Sequence, residues 1–362
     1  TDEKESKESI INPYNFLDKK FKYIANSGLI LSELIKAIKL TYSLITLVSN
    51  KNYRVMFKTF FNLIPLLFIF LLSITIATTS EAKKKKKKNS SKVKVLLIDG
   101  QSKNHKHWKE WTPVLLKQLD DSELFLVDIA TSPMKGESLD KFNPKFKKYD
   151  AVVSIYDGDN WSMRTQRNLE KYITSGGGLV IIHAADNAFP EWEAYNTMIG
   201  LGGWGNRTET AGPYMYINKK GDLIRDTSPG KGGHHGPKHE YVIETRAADH
   251  PIMKDLPTKW LHTEDELYDM LRGPAMNMEI LATAYSSEKY DGTQRHEPIL
   301  MTVKYGDGRV FHTVMGHHKL ALSCVGFMTT FIRACEWAGK KKVSFEVPDD
   351  FPKENATGSR TY

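Results

Sequence analysis

The sequence predicts an α/β fold, a doubly wound and mostly parallel sheet with helices on both faces, behind an N-terminal leader. Three observations predict it. Short all-apolar runs, such as residues 179–182, are bounded by turn residues, which suits strands buried on both faces. From Val93 onward such runs alternate with helix-length segments. Polar residues gather just past the runs, at the strand ends where open α/β sheets bind ligands.

The chain has 362 residues, 40% apolar and 11% aromatic, which supports a full core and excludes wholesale disorder. Its net charge of +8 is uneven: residues 1–92 hold 17 Lys+Arg against 7 Asp+Glu, and residues 93–362 hold 34 against 36. The basic excess belongs to the leader, so no nucleic-acid partner is expected. Within the leader, the apolar run 57–77 follows Met56, carries Lys58 near its start, and is followed by Ser80-Glu81-Ala82. That is the order of a signal peptide. We expect residues 56–82 to be cleaved from a secreted or periplasmic product, residues 1–55 to lie outside the mature protein, and residues 83–92 to form a Lys-rich linker. The competing reading is a membrane anchor with an extracytoplasmic domain, because the run is nearly long enough to span. Membrane contact is expected only if the leader is uncleaved. Cys324 and Cys335 are about three helical turns or ~16 Å apart, too far for a disulfide, and read as buried packing residues.

The first strand, residues 93–99, runs into a polar loop holding Gln101, Asn104, His105, His107 and Trp108. A helix around Pro113 follows, since proline suits a first turn. Strands at 125–129 and 149–155 come next, the second ending in Tyr156-Asp157-Gly-Asp159. A helix over 162–175 leads into a glycine turn and the 179–182 strand, whose tip carries His183, Asp186 and Asn187. For a lone histidine there, a structural hydrogen-bonded role is the commoner one. After a helix over 192–199 come two glycine-rich loops. One holds Trp204 and Arg207; the other holds His234, His235 and His239. Neither has the Gly-Lys-Ser/Thr of a phosphate loop, so no nucleotide is expected. The histidines lack a spacing diagnostic of zinc. In residues 260–268, Glu264 and Asp265 can serve as acid or base, or cap a helix, which is the commoner use. Strands over 239–245, 279–284, 298–305 and 309–314 follow the same logic, with a hairpin at Gly306-Asp-Gly. The last tip holds His317 and His318, and a helix over 326–337 closes the domain.

Several stretches together resemble the trehalose-utilisation (ThuA-like) domain family: Asp99-Gly-Gln with Asn104-His105 and Trp108, Gly177-Gly-Leu-Val-Ile-Ile-His-Ala-Ala-Asp-Asn187, and Gly202-Gly-Trp-Gly-Asn-Arg207. Gly233-His-His-Gly, Asp249-His-Pro, Asp265-Glu-Leu-Tyr, and Tyr305-Gly-Asp-Gly-Arg309 with Gly316-His317 complete the pattern. The likeness spans residues 93–343 and leaves 344–362 as a tail. It implies a flavodoxin-like core similar to the class I glutamine amidotransferases. The nucleophile position of that wider fold falls near His183-Ala184, where there is no cysteine, so a thioester route is closed. The partner position resembles Gly316-His317. The family's biology points to trehalose, glycosides and keto-sugars.

Two functions follow as expectations. The first is a sugar hydrolase, lyase or isomerase with His183, His317, Asp186 and His105 as its acid–base set, joined by Glu264 or Asp265. Imidazoles suit proton transfer near neutral pH. His183 and His317 can equally hold a divalent metal such as zinc. Gln101, Asn104, Trp108, Asp157, Asn187, Trp204, Arg207, His234 and His235 are the expected binding residues for a carbohydrate or keto-sugar ligand, and Trp161 and Trp192 are further candidates for ring stacking. The second is a non-catalytic carbohydrate-binding or structural module. Oligomer formation is compatible with both.

Overall fold

The computed structural model describes Lys36, residues 92–103 and residues 108–362. The expectations for the leader, and for Asn104, His105 and His107, therefore lie outside the described residues. Two compact units divide the chain, Thr1–Lys85 and Lys86–Tyr362. Lys36, in helical conformation, is the described residue of the first; everything below concerns the second.

In chain order the second unit runs β1 (Val93–Asp99), α1 (Trp108–Asp121), β2 (Phe125–Thr131), β3 (Ala151–Ser154), α2 (Met163–Thr174), β4 (Gly178–Ile182) and α3 (Glu193–Ile199). It continues with β5 (Tyr214–Ile217), β6 (Leu223–Asp226), β7 (His234–His235), β8 (His239–Thr245), β9 (Lys259–Asp265) and β10 (Tyr268–Asp269). The last elements are β11 (Met278–Tyr285), β12 (His296–Tyr305), β13 (Gly308–Thr313), α4 (Lys319–Ser323) and α5 (Val325–Ala338). The main sheet has the order β2-β1-β3-β4-β13-β12-β11-β8-β9, with β5 and β6 attached to β12. Strands β2, β1, β3, β4 and β13 are all parallel, as the sequence predicts for the doubly wound core. From β13 onward the neighbours are antiparallel, starting with the β12–β13 hairpin expected at Gly306.

Strand alternation feeds two cores. On one face Val95, Leu97, Val153, Val180 and Ile182 pack with Trp111 and Leu115 of α1 and with Phe327 and Phe331 of α5. On the other, Leu96, Ile98, Val152, Leu179 and Ile181 meet Leu169 and Ile173 of α2 and Met198 of α3. This is why the central strands read as unbroken apolar runs. Ser162 caps α2, its hydroxyl accepting from the Thr165 amide.

Two parts differ from the sequence expectation. Glu264 and Asp265 cap no helix; they belong to β9, paired with β8. Residues 344–362, set apart as a tail, pack on the domain. Phe351 meets Trp260 edge-on at 5.7 Å, the Val325 amide donates to Gly358, and Arg360 forks onto Asp350 at 2.7–2.8 Å. Cys324 and Cys335 are free and buried. Among the described residues no helix is long and apolar enough to cross a membrane.

Candidate functional site

Strand direction assembles the site. β4 and β13 are parallel neighbours in register Ile182↔Thr313, so the residues after them emerge at one edge. Four antiparallel steps separate β13 from β9, an even number, so β9 runs the same way and delivers Asp265 and Glu266 to that edge. His183 opens a 3-10 turn, His183–Asp186, with φ 44°, a left-handed conformation rare for a residue with a Cβ. Gly316 turns the chain after β13 with φ +112°; a Cβ there would stand 2.8 Å from Leu322. Gly233 lets the histidine loop approach Trp204, since a Cβ would lie 2.6 Å from its amide nitrogen.

His183, Glu266 and His317 converge, each offering one ligand atom within 4.8 Å of the others. His183 Nε2 lies 3.3 Å from His317 Nδ1 and 3.7 Å from a Glu266 oxygen, and His317 Nδ1 lies 2.8 Å from that same oxygen. The His183 Nδ1–H donates to the Val314 carbonyl, which fixes the tautomer and leaves an Nε2 lone pair facing the cluster. His183 and Glu266 are buried, while His317 is 21% exposed and opens the site. His235 stands at the rim. Its Nδ1 donates to the Gly236 carbonyl and its Nε2 lies 3.6 Å from Glu266. The half-buried Trp204 forms an aromatic wall, backed at 4.6 Å by Tyr268, which is buried and lies 4.2 Å from His183 by ring centroids.

These residues fit a divalent metal. Two imidazoles and a carboxylate are an open zinc set, and bonds of about 2.0–2.2 Å in a tetrahedron separate ligand atoms by about 3.3 Å. Two of the three separations already lie near that value. The third, 2.8 Å, is the hydrogen bond His317 makes with Glu266, and it must open slightly when a metal replaces the proton. The Val314 carbonyl on His183 is the outer partner that metal-bound imidazoles require.

The other predicted residues are placed differently. Asp186 is sealed from solvent and paired with His312 at 3.3 Å, while the second His312 nitrogen takes the Ile199 carbonyl at 3.0 Å. Burial raises the Asp186 pKa despite that imidazole. Arg207 is buried and clasps the glycine-rich loop, donating to the Gly203 and Ala188 carbonyls and to Asn196. It also donates to the carbonyl of Asn187, itself buried. Gln101 ties two loops together through Pro133 and Asp159. It borders, with Trp108, a cavity of about 210 Å³ beyond β1 and β3. Asp157 is buried with neither carboxylate oxygen hydrogen-bonded, and burial raises its pKa to about 7 against the opposing charge of Lys103. His234 donates its Nδ1–H to buried Asp269 at 2.8 Å, and the β7–β10 register turns it to the face opposite His235. His239 stacks on Tyr290 at 3.7 Å. Trp161 and Trp192 are core residues packed against Phe189, not ring platforms. Glu264 is exposed, Asp265 is buried beneath the cluster, and the carboxylate that reaches it is Glu266. The sequence signal for Glu266 was its place one residue past the strand, the same position His183 holds after β4.

The profile of the ThuA family, described as trehalose utilisation, matches residues 94–338. A putative ThuA-like protein from Parabacteroides merdae is 45% identical, superposes with a TM-score of 0.71, and is matched over 98% of its length and 74% of this chain. A second putative ThuA-like protein, from Bacteroides uniformis, is 18% identical with a TM-score of 0.48, over 91% of its length and 67% of this chain. Comparison with curated proteins finds no match. On the family match over residues 94–338 and the 45% identity to the Parabacteroides merdae protein, the chain belongs to the ThuA family.

Proposed function

We propose that this ThuA domain is a carbohydrate-directed enzyme whose centre is His183, Glu266 and His317 holding a divalent metal, zinc by its donor set. The observation that carries the reading is the convergence of three ligand atoms with the His183 lone pair locked inward by Val314. A metal held there would supply Lewis acidity to a sugar carbonyl or hydroxyl. The protein's own groups do the rest. His235 at the rim exchanges a proton with the bound sugar, the half-buried Trp204 ring, backed by buried Tyr268, is the apolar surface that a pyranose face packs on, and the buried floor excludes water. A keto-sugar or glycoside suits this arrangement, because enolisation and elimination each need an electrophile beside a base.

Metal analysis of the purified chain and a screen of glycosides and 3-keto-glycosides, on wild type and on His183→Ala, Glu266→Gln and His317→Ala, test the proposal. One equivalent of metal and turnover lost in all three variants are expected. Sugar binding without turnover would make the domain a non-catalytic carbohydrate module. The order of residues 56–82 supports export of the domain, and N-terminal sequencing of the product checks it: a start inside residues 1–55 would refute cleavage there.

A further inference from the structure

Asp265 is fully buried, and its two oxygens accept from four donors. Oδ2 takes His262 Nε2 at 3.0 Å and the Gly316 amide at 2.8 Å; Oδ1 takes the Glu266 amide at 2.9 Å and the His317 amide at 3.1 Å. Glu266 and His317 are two of the three cluster residues, and they come from strands separated by three others in the sheet. One carboxylate therefore joins the two segments whose spacing the cluster geometry depends on. We propose that Asp265, held by His262, is the positioning residue of the centre: it sets the spacing of the Glu266 carboxylate and the His317 imidazole by binding both backbones.

The chemistry supports a charged anchor rather than a ligand. A buried carboxylate is stable only when its lone pairs are met by donors, and here every donor is fixed by the fold. Burial opposes ionisation, and four fixed donors are what stabilise the charged form. His262, also fully buried, supplies the one side-chain donor among them. With its oxygens occupied and beneath the cluster, Asp265 has no lone pair to spare for a metal. The role in metal binding rests on the reading of His183, Glu266 and His317 given above; the backbone role does not.

Zinc competition titrations and amide hydrogen exchange on the full chain, for wild type, Asp265→Asn, His262→Gln and His262→Ala, test it. An Asn side chain turns an NH2 toward N–H donors, so at least one backbone amide loses its acceptor. Zinc binding weaker by about 10–100-fold is expected for Asp265→Asn, the usual range for an outer-shell partner. Exchange of the Gly316 amide, or of the Glu266 and His317 amides, according to which way the Asn side chain turns, should quicken at least tenfold in metal-free protein. His262→Gln, which keeps a donor, should fall between wild type and His262→Ala. A folded Asp265→Asn with wild-type zinc affinity and wild-type exchange overturns the inference; if that variant does not fold, unchanged values in His262→Ala do so. Wild type that binds no zinc defeats the metal reading alone, and the exchange result then decides the positioning role.

Discussion

Two imidazole–carboxylate groupings stand near the carboxyl ends of β4 and β13, and they are built to opposite purposes. In the sealed pair, His312 spends one nitrogen on Ile199 and the other on Asp186, and neither side chain sees solvent. In the open cluster, His183 spends one nitrogen on Val314 and turns the other toward Glu266 and His317, with His317 reaching solvent. The residue types are the same. Each histidine gives one nitrogen to a backbone carbonyl; what separates the structural pair from the candidate functional cluster is that the second nitrogen meets a single sealed carboxylate in one and a group of side chains open to solvent in the other.

The sharpest break of this comparison is substitution on each side of it. Glu266→Gln or His183→Ala should cut turnover by about 10²-fold or more, because losing a ligand forfeits the several kcal/mol of Lewis-acid stabilisation the metal would supply. The same changes should leave the melting temperature of metal-free protein within a few degrees of wild type. His312→Ala should do the reverse. It leaves Asp186 buried without its partner, a loss of about 3–5 kcal/mol, or roughly 10 °C in melting temperature. Activity per folded molecule should survive. Thermal melts run beside initial rates check both, and a stable but inactive His312→Ala would place that pair in the chemistry.

Asp157 sits between the two regimes, buried like Asp186 but with no imidazole partner among the described residues. Its folded pKa, about 7, lies above the ordinary 3.8, with burial as the main cause. A carboxyl raised on folding contributes stability that is fully present below its unfolded pKa and is lost as pH rises through its folded value. The wild type should therefore lose stability between pH 5 and pH 8 relative to Asp157→Asn, which does not titrate. The difference should be on the order of 1–3 kcal/mol. Melting curves at the two pH values that shift equally in both proteins would show that water or a cation already serves this carboxylate.

The fold was largely legible because central strands buried on both faces leave a nearly unbroken apolar signature: the stretches 93–99, 149–155 and 179–182 each hold a strand. Histidines 183 and 317 stood out for the same reason, each following such a run. Glu266 did not. It follows β9, whose half-buried alternation, Trp260, His262 and Asp265 in and Glu264 out, breaks the apolar signature and invites a helix-cap reading. Asp186 and Asp265 illustrate the complementary limit. Both are carboxylates at strand ends, and only the third dimension shows that His312 and His262 have already taken them.

The smallest effect expected is at the aromatic wall. Trp204, with φ 52°, is held half-buried by the glycine-rich loop that Arg207 clasps, its ring 4.6 Å from Tyr268. Its ring faces Tyr268 and, at 5.9 Å, His235 rather than offering a ligand atom, so its substitution should act mainly on binding. Losing one aromatic contact of about 0.5–1.5 kcal/mol corresponds to a two- to twelvefold rise in KM. Trp204→Ala should show that rise with kcat nearly unchanged, and Trp204→Phe should recover most of it. A fall in kcat instead would mean that the wall shapes the reacting geometry, and the boundary between binding surface and open cluster would have to be drawn one ring further out.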